Sequence, residues 1–161
     1  SQRGGSVVTH VRFAEQVHSP VIELGTADTV IAFELLEAAR YASYLRPGGT
    51  LIVNLQRVAP MPVLTGAVAY PATLPESFAA LPIVTVLVDA LSLAERAGNV
   101  KAVNTVLLGV YARQQGARRE PWLAALEATV PPKHLAVNLA AFDLGFAAQS
   151  ELTVFGDGKA S

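Results

Sequence analysis

The chain has 161 residues, a length that suits one domain, and it contains no cysteine. The absence of cysteine excludes disulfides, cysteine nucleophiles and cysteine-ligated iron–sulfur clusters within these residues. The net charge of −1 provides no overall field for binding nucleic acid or an anionic membrane. No apolar run approaches the roughly 20 residues that a membrane-spanning helix needs, and no signal-peptide pattern is present, so we expect a cytoplasmic chain.

The composition lies on the apolar side of ordinary soluble chains, with 52% hydrophobic and 16% charged residues. A fully buried sheet covered by alanine-rich helices would account for part of this excess. A surface that a partner subunit covers, or that drives self-association, would account for the rest. We expect both.

The N-terminal residues carry the first strand pattern. Residues 6–13, SVVTHVRF, are rich in β-branched side chains and predict a strand with Ser6, His10 and Arg12 on one face. A short antiparallel return is predicted at residues 17–18.

The next pattern is a strand–helix–strand unit. Residues 28–33 predict a buried strand, residues 34–46 a helix that ends at Pro47-Gly48-Gly49, and residues 50–54 a second buried strand. Such a unit pairs its strands in parallel through a right-handed crossover.

The rest of the chain is mainly helical. Residues 83–88 predict one more strand, and helices are predicted over residues 89–97, 101–115 and 133–149, with a short helix from Glu120. Residues 1–149 would form the domain and residues 150–161 a C-terminal tail. The order of elements predicts an α/β fold, a three-layer Rossmann-like mixed sheet with helices on both faces.

Two motifs offer alternative functions. A Pro-Gly-Gly turn before a strand, with the stretch VIELGTADT, is similar to S-adenosylmethionine-dependent methyltransferases, but a cofactor loop needs several glycines and only Gly25 is present. The stretch FGDGKAS is similar to the start of a thiamine-diphosphate motif, but its downstream magnesium ligand is missing from these residues. We expect a tight turn and a polar tail, respectively.

Other polar residues give weaker indications. The three histidines lack the spacing of metal ligands, so we expect no metal site. Asn104 and Asn138 lie within apolar helix patterns, where asparagine needs hydrogen-bond partners. Each therefore predicts either a partner on a neighbouring element or a role at a site or interface.

The stretch Gln2-Arg3-Gly4-Gly5 is the most informative one near the start. Glycine pairs let the backbone approach a ligand or another chain closely, and an arginine can bind carboxylate or phosphate with two hydrogen bonds. A flexible terminus is the alternative interpretation.

The segments SQRGGSVVTHVR, ADTVIAFELLEAARYASYLRPGGTLIVN, VNTVLLG and VNLAAFDLGF occur in that order. Together they resemble the gamma domain of 2-oxoacid:ferredoxin oxidoreductases over about residues 1–146. Within that family, the similarity is greatest to the small (beta) subunits of the indolepyruvate-specific enzymes. The resemblance also implies a preceding strand–helix–strand segment with a glycine-rich turn, so the sheet is expected to be incomplete at the N-terminus.

The resemblance implies a component of an enzyme that oxidatively decarboxylates a 2-oxoacid, such as indolepyruvate or another arylpyruvate, to an acyl-CoA. Thiamine diphosphate, Mg²⁺, iron–sulfur clusters and CoA would serve the whole complex, and this chain alone would bind none of them. Its partners would be the large thiamine and iron–sulfur subunit and, through the complex, ferredoxin. The alternatives are a non-catalytic interaction domain and a Rossmann-like methyltransferase.

The resemblance points to residues 2–6, the predicted strand face of Ser6 adds His10 and Arg12 as weaker candidates, and the apolar helix pattern adds Asn104. We expect no catalytic residue in this chain. Residues at an interface or near the active centre are predicted to be Gln2, Arg3, Gly4, Gly5, Ser6, His10, Arg12 and Asn104.

Overall fold

The computed structural model describes residues 7–56 and 73–156. Its strands are β1 (Ala27–Ala32), β2 (Leu45–Asn54), β3 (Val84–Val88) and β4 (Thr153–Phe155). Its α-helices are α1 (Leu35–Tyr41), α2 (Leu74–Ser77), α3 (Ala90–Ala97), α4 (Val103–Gln114), α5 (Arg119–Thr129) and α6 (Pro132–Ala147). Short 3₁₀ turns follow α1, α2 and α6 and precede α4.

The four strands form one mixed sheet in the order β1-β2-β3-β4. The first three strands are parallel, and β4 pairs antiparallel with β3. One face of the sheet carries Leu51 and Val53 and packs with residues of α1. The other face carries Ile52 and Val88 and packs with α3 and α4. The predicted α/β fold with helices on both faces is confirmed.

The predicted first strand is wrong for the residues that the structure describes. Residues 7–24, called the arm here, contain no helix or strand, and Ser6 lies outside the described residues. Arg12 Nη1 instead donates to the carbonyl oxygens of Ser19 (3.1 Å) and Val21 (3.2 Å), which folds the arm back on itself. A run of β-branched residues forms a strand only where a neighbouring strand accepts its backbone hydrogen bonds.

The predicted helix of residues 34–46 is too long. The α-helix ends at Tyr41, and Leu45 already pairs with Ala27 in the sheet. Leu45 is buried in the core, and a proline at position 47 disfavours helical backbone at the residue before it. Both effects end the helix early.

The Pro47-Gly48-Gly49 stretch forms an irregularity inside β2 rather than the stop of a helix. The pairing of β1 with β2 shifts from Ala27–Leu45 to Thr29–Thr50, so this stretch bulges out of register. A Cβ atom on Gly49 would lie 2.9 Å from the carbonyl oxygen of Arg46, a distance that real Cβ atoms essentially never show. Glycine is therefore required at position 49.

The C-terminal residues do not begin a tail at residue 150. Thr153–Phe155 form β4, in which Val154 pairs with Val86 of β3. Gly156 follows with a φ of +80°, and a side chain there would meet the backbone of Ile83. A strand of three residues is too short to show a period in the sequence. Residues 157–161, the rest of the predicted polar tail, lie outside the described residues.

The helices α4 and α6 approach each other through two glycines. A Cβ atom on Gly109 would overlap the carbonyl oxygen of Phe142, and one on Gly145 would overlap the carbonyl oxygen of Val106. Phe142 is completely buried beside this crossing and stacks between Trp122 and Phe146. Among the described residues, every helix is too short or too polar to cross a membrane.

Candidate functional site

The carboxyl ends of β1, β2 and β3 meet at one edge of the sheet because these strands are parallel. From β2 the chain reaches α2, which is followed by Phe78 in the core on the side of α1. From β3 the chain enters α3 on the opposite face. In open α/β sheets, ligands and partner groups bind where neighbouring connections leave toward opposite faces. The carboxyl edge between β2 and β3 is therefore the candidate site.

Asn54 joins the three strands at this edge. It is the last residue of β2 and only 1% exposed. Its Nδ2 donates to the carbonyl oxygen of Phe33 after β1 (3.2 Å), and its Oδ1 accepts from the backbone N–H of Ala90 after β3 (3.1 Å). Asn54 is not among the site residues predicted from the sequence. The one feature of the sequence that could have indicated it is a polar side chain directly after the apolar run TLIV.

Two carboxylates at the edge serve as helix caps. Asp89 accepts hydrogen bonds from the hydroxyl and the backbone N–H of Ser92 (2.6 and 3.1 Å). The bond from the hydroxyl contributes most, and that from the backbone N–H contributes next, to a pKa of Asp89 that lies below its usual value. Glu34 Oε2 accepts from the backbone N–H of Glu37 (3.0 Å) at the start of α1. Both carboxylates thus stabilise the first turn of a helix that begins at this edge.

Between these polar groups the edge exposes apolar side chains. Phe33 is 52% exposed and Leu55 is 39% exposed. A hydrogen-bonded amide, two capping carboxylates and exposed apolar groups suit contact with another chain better than proton transfer.

The predicted site residues do not gather at the carboxyl edge. Gln2, Arg3, Gly4, Gly5 and Ser6 lie outside the described residues. His10 Nδ1 accepts from the backbone N–H of Ile22 (2.8 Å), and its ring meets the ring of Tyr44 edge-on at 6.0 Å. Tyr44 directly precedes β2, which places His10 at the amino edge of the sheet.

Arg12 and Asn104 lie elsewhere again. Arg12 holds the arm together, as described above, and it does not share a strand face with His10 because no strand is present there. Asn104 is exposed in the first turn of α4 and lines a cavity between α4 and α6.

Asn138, the other asparagine within an apolar helix pattern, forms hydrogen bonds through both atoms of its amide group. It accepts from the Thr105 hydroxyl (2.5 Å) and donates to the carbonyl oxygen of His134 (2.9 Å). It thereby links α6 to α4.

The methyltransferase alternative conflicts with the position of Gly25. Gly25 has a φ of +74° in a turn where the Thr26 backbone N–H donates to the carbonyl oxygen of Glu23 (3.3 Å). This turn precedes β1, whereas a nucleotide-binding glycine loop follows a strand at the carboxyl edge. Among residues 7–56 and 73–156, no three His, Asp or Glu side chains are placed to hold a metal ion.

Comparison with known proteins agrees with the resemblance noted in the sequence. The family described as Pyruvate ferredoxin/flavodoxin oxidoreductase matches residues 1–148. The chain belongs to this family. Two curated relatives are the Indolepyruvate oxidoreductase subunit IorB of Thermococcus kodakarensis and that of Pyrococcus horikoshii. Each is 36% identical over 160 residues, which cover 94% of this chain and 78% of the relative.

The fold is also that of this family. The gamma subunit of keto/oxoacid ferredoxin oxidoreductase from Geobacter sulfurreducens superposes with a TM-score of 0.55 at 21% identity. The match covers 74% of this chain and 62% of the Geobacter chain. The predicted resemblance and the predicted class, a component of an oxoacid:ferredoxin oxidoreductase, are both confirmed.

Proposed function

We propose that this chain is the small subunit of an oxoacid:ferredoxin oxidoreductase that acts on an arylpyruvate such as indolepyruvate. The identity of 36% to the indolepyruvate oxidoreductase subunits, extending over nearly the whole chain, carries this proposal. In the proposed reaction the 2-oxoacid loses CO₂, its acyl group passes to the thiol of CoA, and two electrons reduce two ferredoxins.

The cofactors of such a reaction fit the partner subunit better than this chain. The 161 residues contain no cysteine, so a cysteine-ligated cluster has no ligand here. The described residues bring together no carboxylate or histidine set for a metal, such as the Mg²⁺ that accompanies thiamine diphosphate. The proposed task of this chain is to complete the assembly beside the cofactor-bearing subunit.

The arm supports the presence of a partner. Val7, Val11 and Phe13 are 90%, 71% and 85% exposed, whereas the polar side chains of His10 and Arg12 bond within the arm. Apolar groups that point outward over a continuous segment are typical of a surface that another chain covers. We assign this surface to the large subunit, and self-association would use the same surface when that subunit is absent.

Co-expression with the large subunit encoded by the same organism tests the proposal. We expect the two chains to co-purify, and the complex to oxidise arylpyruvates with CoA and a low-potential electron acceptor while neither chain does so alone. A complex that prefers pyruvate or 2-oxoglutarate would contradict the assigned substrate. Failure to co-purify would contradict the proposal itself.

A pair of variants locates the contact within this experiment. Phe13→Asp should release the large subunit because it places a charge on the apolar arm. Val100→Asp, at a residue 50% exposed outside the arm, should leave the complex intact and serves as the matched control.

Arg3→Ala tests the proposed site at residues 2–6. An arginine that binds an anionic group through charge-assisted hydrogen bonds contributes about 1.5–3 kcal/mol. We therefore expect turnover by the complex to fall about 10- to 150-fold, with little change in the melting temperature. Arg118→Ala is the matched control, because the Arg118 side chain is 86% exposed and its closest carboxylate is 3.7 Å away. Equal turnover in the two variants would remove the site assignment at residues 2–6.

A further inference from the structure

A second candidate site lies in the helical layer, between the first turns of α4 and α6. A cavity of about 320 Å³ opens there, at the lower end of the range of about 300–1,000 Å³ found for small-molecule sites. Its polar lining includes Lys101, Asn104 and His134, and its apolar lining includes Val130, Pro131 and Val137. Neither the family match nor the relatives assign anything to these residues.

The topology separates this cavity from the carboxyl edge. α3 starts directly after β3 and leads away from that edge, so the 3₁₀ turn with Lys101 and the start of α4 lie toward the opposite end. The α6 helix is followed by β4, whose first residue, Thr153, pairs with Leu87 near the carboxyl end of β3. The end of α6 therefore lies near the carboxyl edge, and its start lies toward the opposite end. The cavity is therefore separate from the carboxyl edge around Asn54.

The walls of the cavity are held in place by their own hydrogen bonds. Asn99 Oδ1 accepts from the backbone N–H of Lys101 (2.9 Å), which orders the turn that carries this lysine. Asn138, which also lines the cavity, accepts from the Thr105 hydroxyl of α4 and donates to the carbonyl oxygen of His134 in its own helix. The backbone that surrounds the cavity is therefore held in place by hydrogen bonds within the protein.

The groups that face the cavity favour an anion. No carboxylate lines it, and within the described residues no hydrogen bond or ion pair engages the side chains of Lys101, Asn104 or His134. The Lys101 ammonium, the Asn104 amide and the His134 ring each carry a hydrogen-bond donor for an anion in the cavity.

We propose that this cavity binds the phosphoryl group of a small phosphate ester. A lysine binds phosphate as a compact charge, whereas planar carboxylates are recognised best by the fork of an arginine, and no arginine lines the cavity. A bare phosphate would leave part of the volume empty. The organic part of the ester would lie against Val130, Pro131 and Val137.

A ¹⁵N NMR titration of the full chain tests this site, with inorganic phosphate, glycerol phosphate and acetate as probes at constant ionic strength. We expect both phosphates to cause saturable shifts at Lys101, Asn104 and the start of α6, with glycerol phosphate binding more tightly. Acetate should bind at least tenfold more weakly. Shifts that sodium chloride reproduces, or equal binding of acetate, would overturn the proposal.

Two lysine variants give the matched comparison. Lys101→Gln should weaken phosphate binding at least tenfold, since it removes the charge from the hydrogen bond. Lys133→Gln changes a neighbouring exposed lysine that does not line the cavity, and binding should stay within about threefold of the parent. Both lysines are exposed, so both variants should melt as the parent does. An equal loss of binding in the two variants would show that phosphate is attracted by the positive charge of the surface in general, which would contradict the proposal.

Discussion

Gly109→Ala and Gly145→Ala are each expected to lower the free energy of unfolding by about 3 kcal/mol or more. Besides overlapping the carbonyl oxygens named above, the new methyl group at position 109 would lie 2.8 Å from the backbone nitrogen of Phe146. The one at position 145 would lie 2.9 Å from the carbonyl carbon of Val106. These neighbours are backbone atoms of a packed helix, so a rotamer change cannot relieve the overlap and the helices must move apart.

Replacing glycine with alanine inside a helix normally raises the free energy of unfolding by roughly 0.5–1 kcal/mol. A decrease at positions 109 and 145 would therefore be due to the overlap with the facing helix. Gly116→Ala is the matched control: its methyl group would meet nothing within 4 Å, and only its φ of +63° opposes the change. We expect that variant to lose about 1 kcal/mol. Urea denaturation of the three variants measures the difference, and a loss at Gly109 and Gly145 no larger than at Gly116 would show that the helices can separate without cost.

Asn54→Leu is expected to lower the free energy of unfolding by about 3 kcal/mol, because it leaves the Ala90 N–H and the Phe33 carbonyl oxygen without their partner. The Ala90 N–H is the more costly loss, since Ala90 is completely buried. The same change should loosen the carboxyl edge as a whole, because Asn54 is the side chain that joins β1, β2 and β3 there. Hydrogen exchange at residues 33 and 90 should accelerate more than exchange in the middle of the strands.

Thr85→Val separates this effect from the simple loss of a buried polar group. Thr85 is also fully buried in the sheet, but its hydroxyl has no hydrogen-bond partner among the described residues. Replacing it with an apolar group of the same shape should leave stability within about 0.5 kcal/mol or increase it. If Asn54→Leu were as mild as Thr85→Val, Asn54 would not hold the edge together.

The strands and helices whose signal is local could be predicted from the sequence. The observed strands include most of each of the runs DTVIAF, TLIVN and IVTVLV. TLIVN and IVTVLV are almost wholly apolar because β2 and β3 are buried on both faces there, whereas β1 is only partly buried. The helical period of residues 133–149 places Phe142 in the core, where it is completely buried. Similarity along the chain was enough to indicate the family, because whole motifs occur in a shared order.

Tertiary structure decided what depends on a neighbour distant in sequence. The arm has strand-forming residues, but within residues 7–56 and 73–156 no strand pairs with it, and its side chains form the hydrogen bonds that hold it. Thr153–Phe155 show no period of their own and become a strand because β3 offers them hydrogen-bonding groups. Gly109 and Gly145 look like weak points of two helices, yet the backbone of the facing helix leaves room for nothing larger. The sequence shows Asn54 only as a polar residue at the end of a predicted strand. Its amide can bind both the Phe33 carbonyl oxygen and the Ala90 N–H because the ends of β1, β2 and β3 lie side by side in the folded chain.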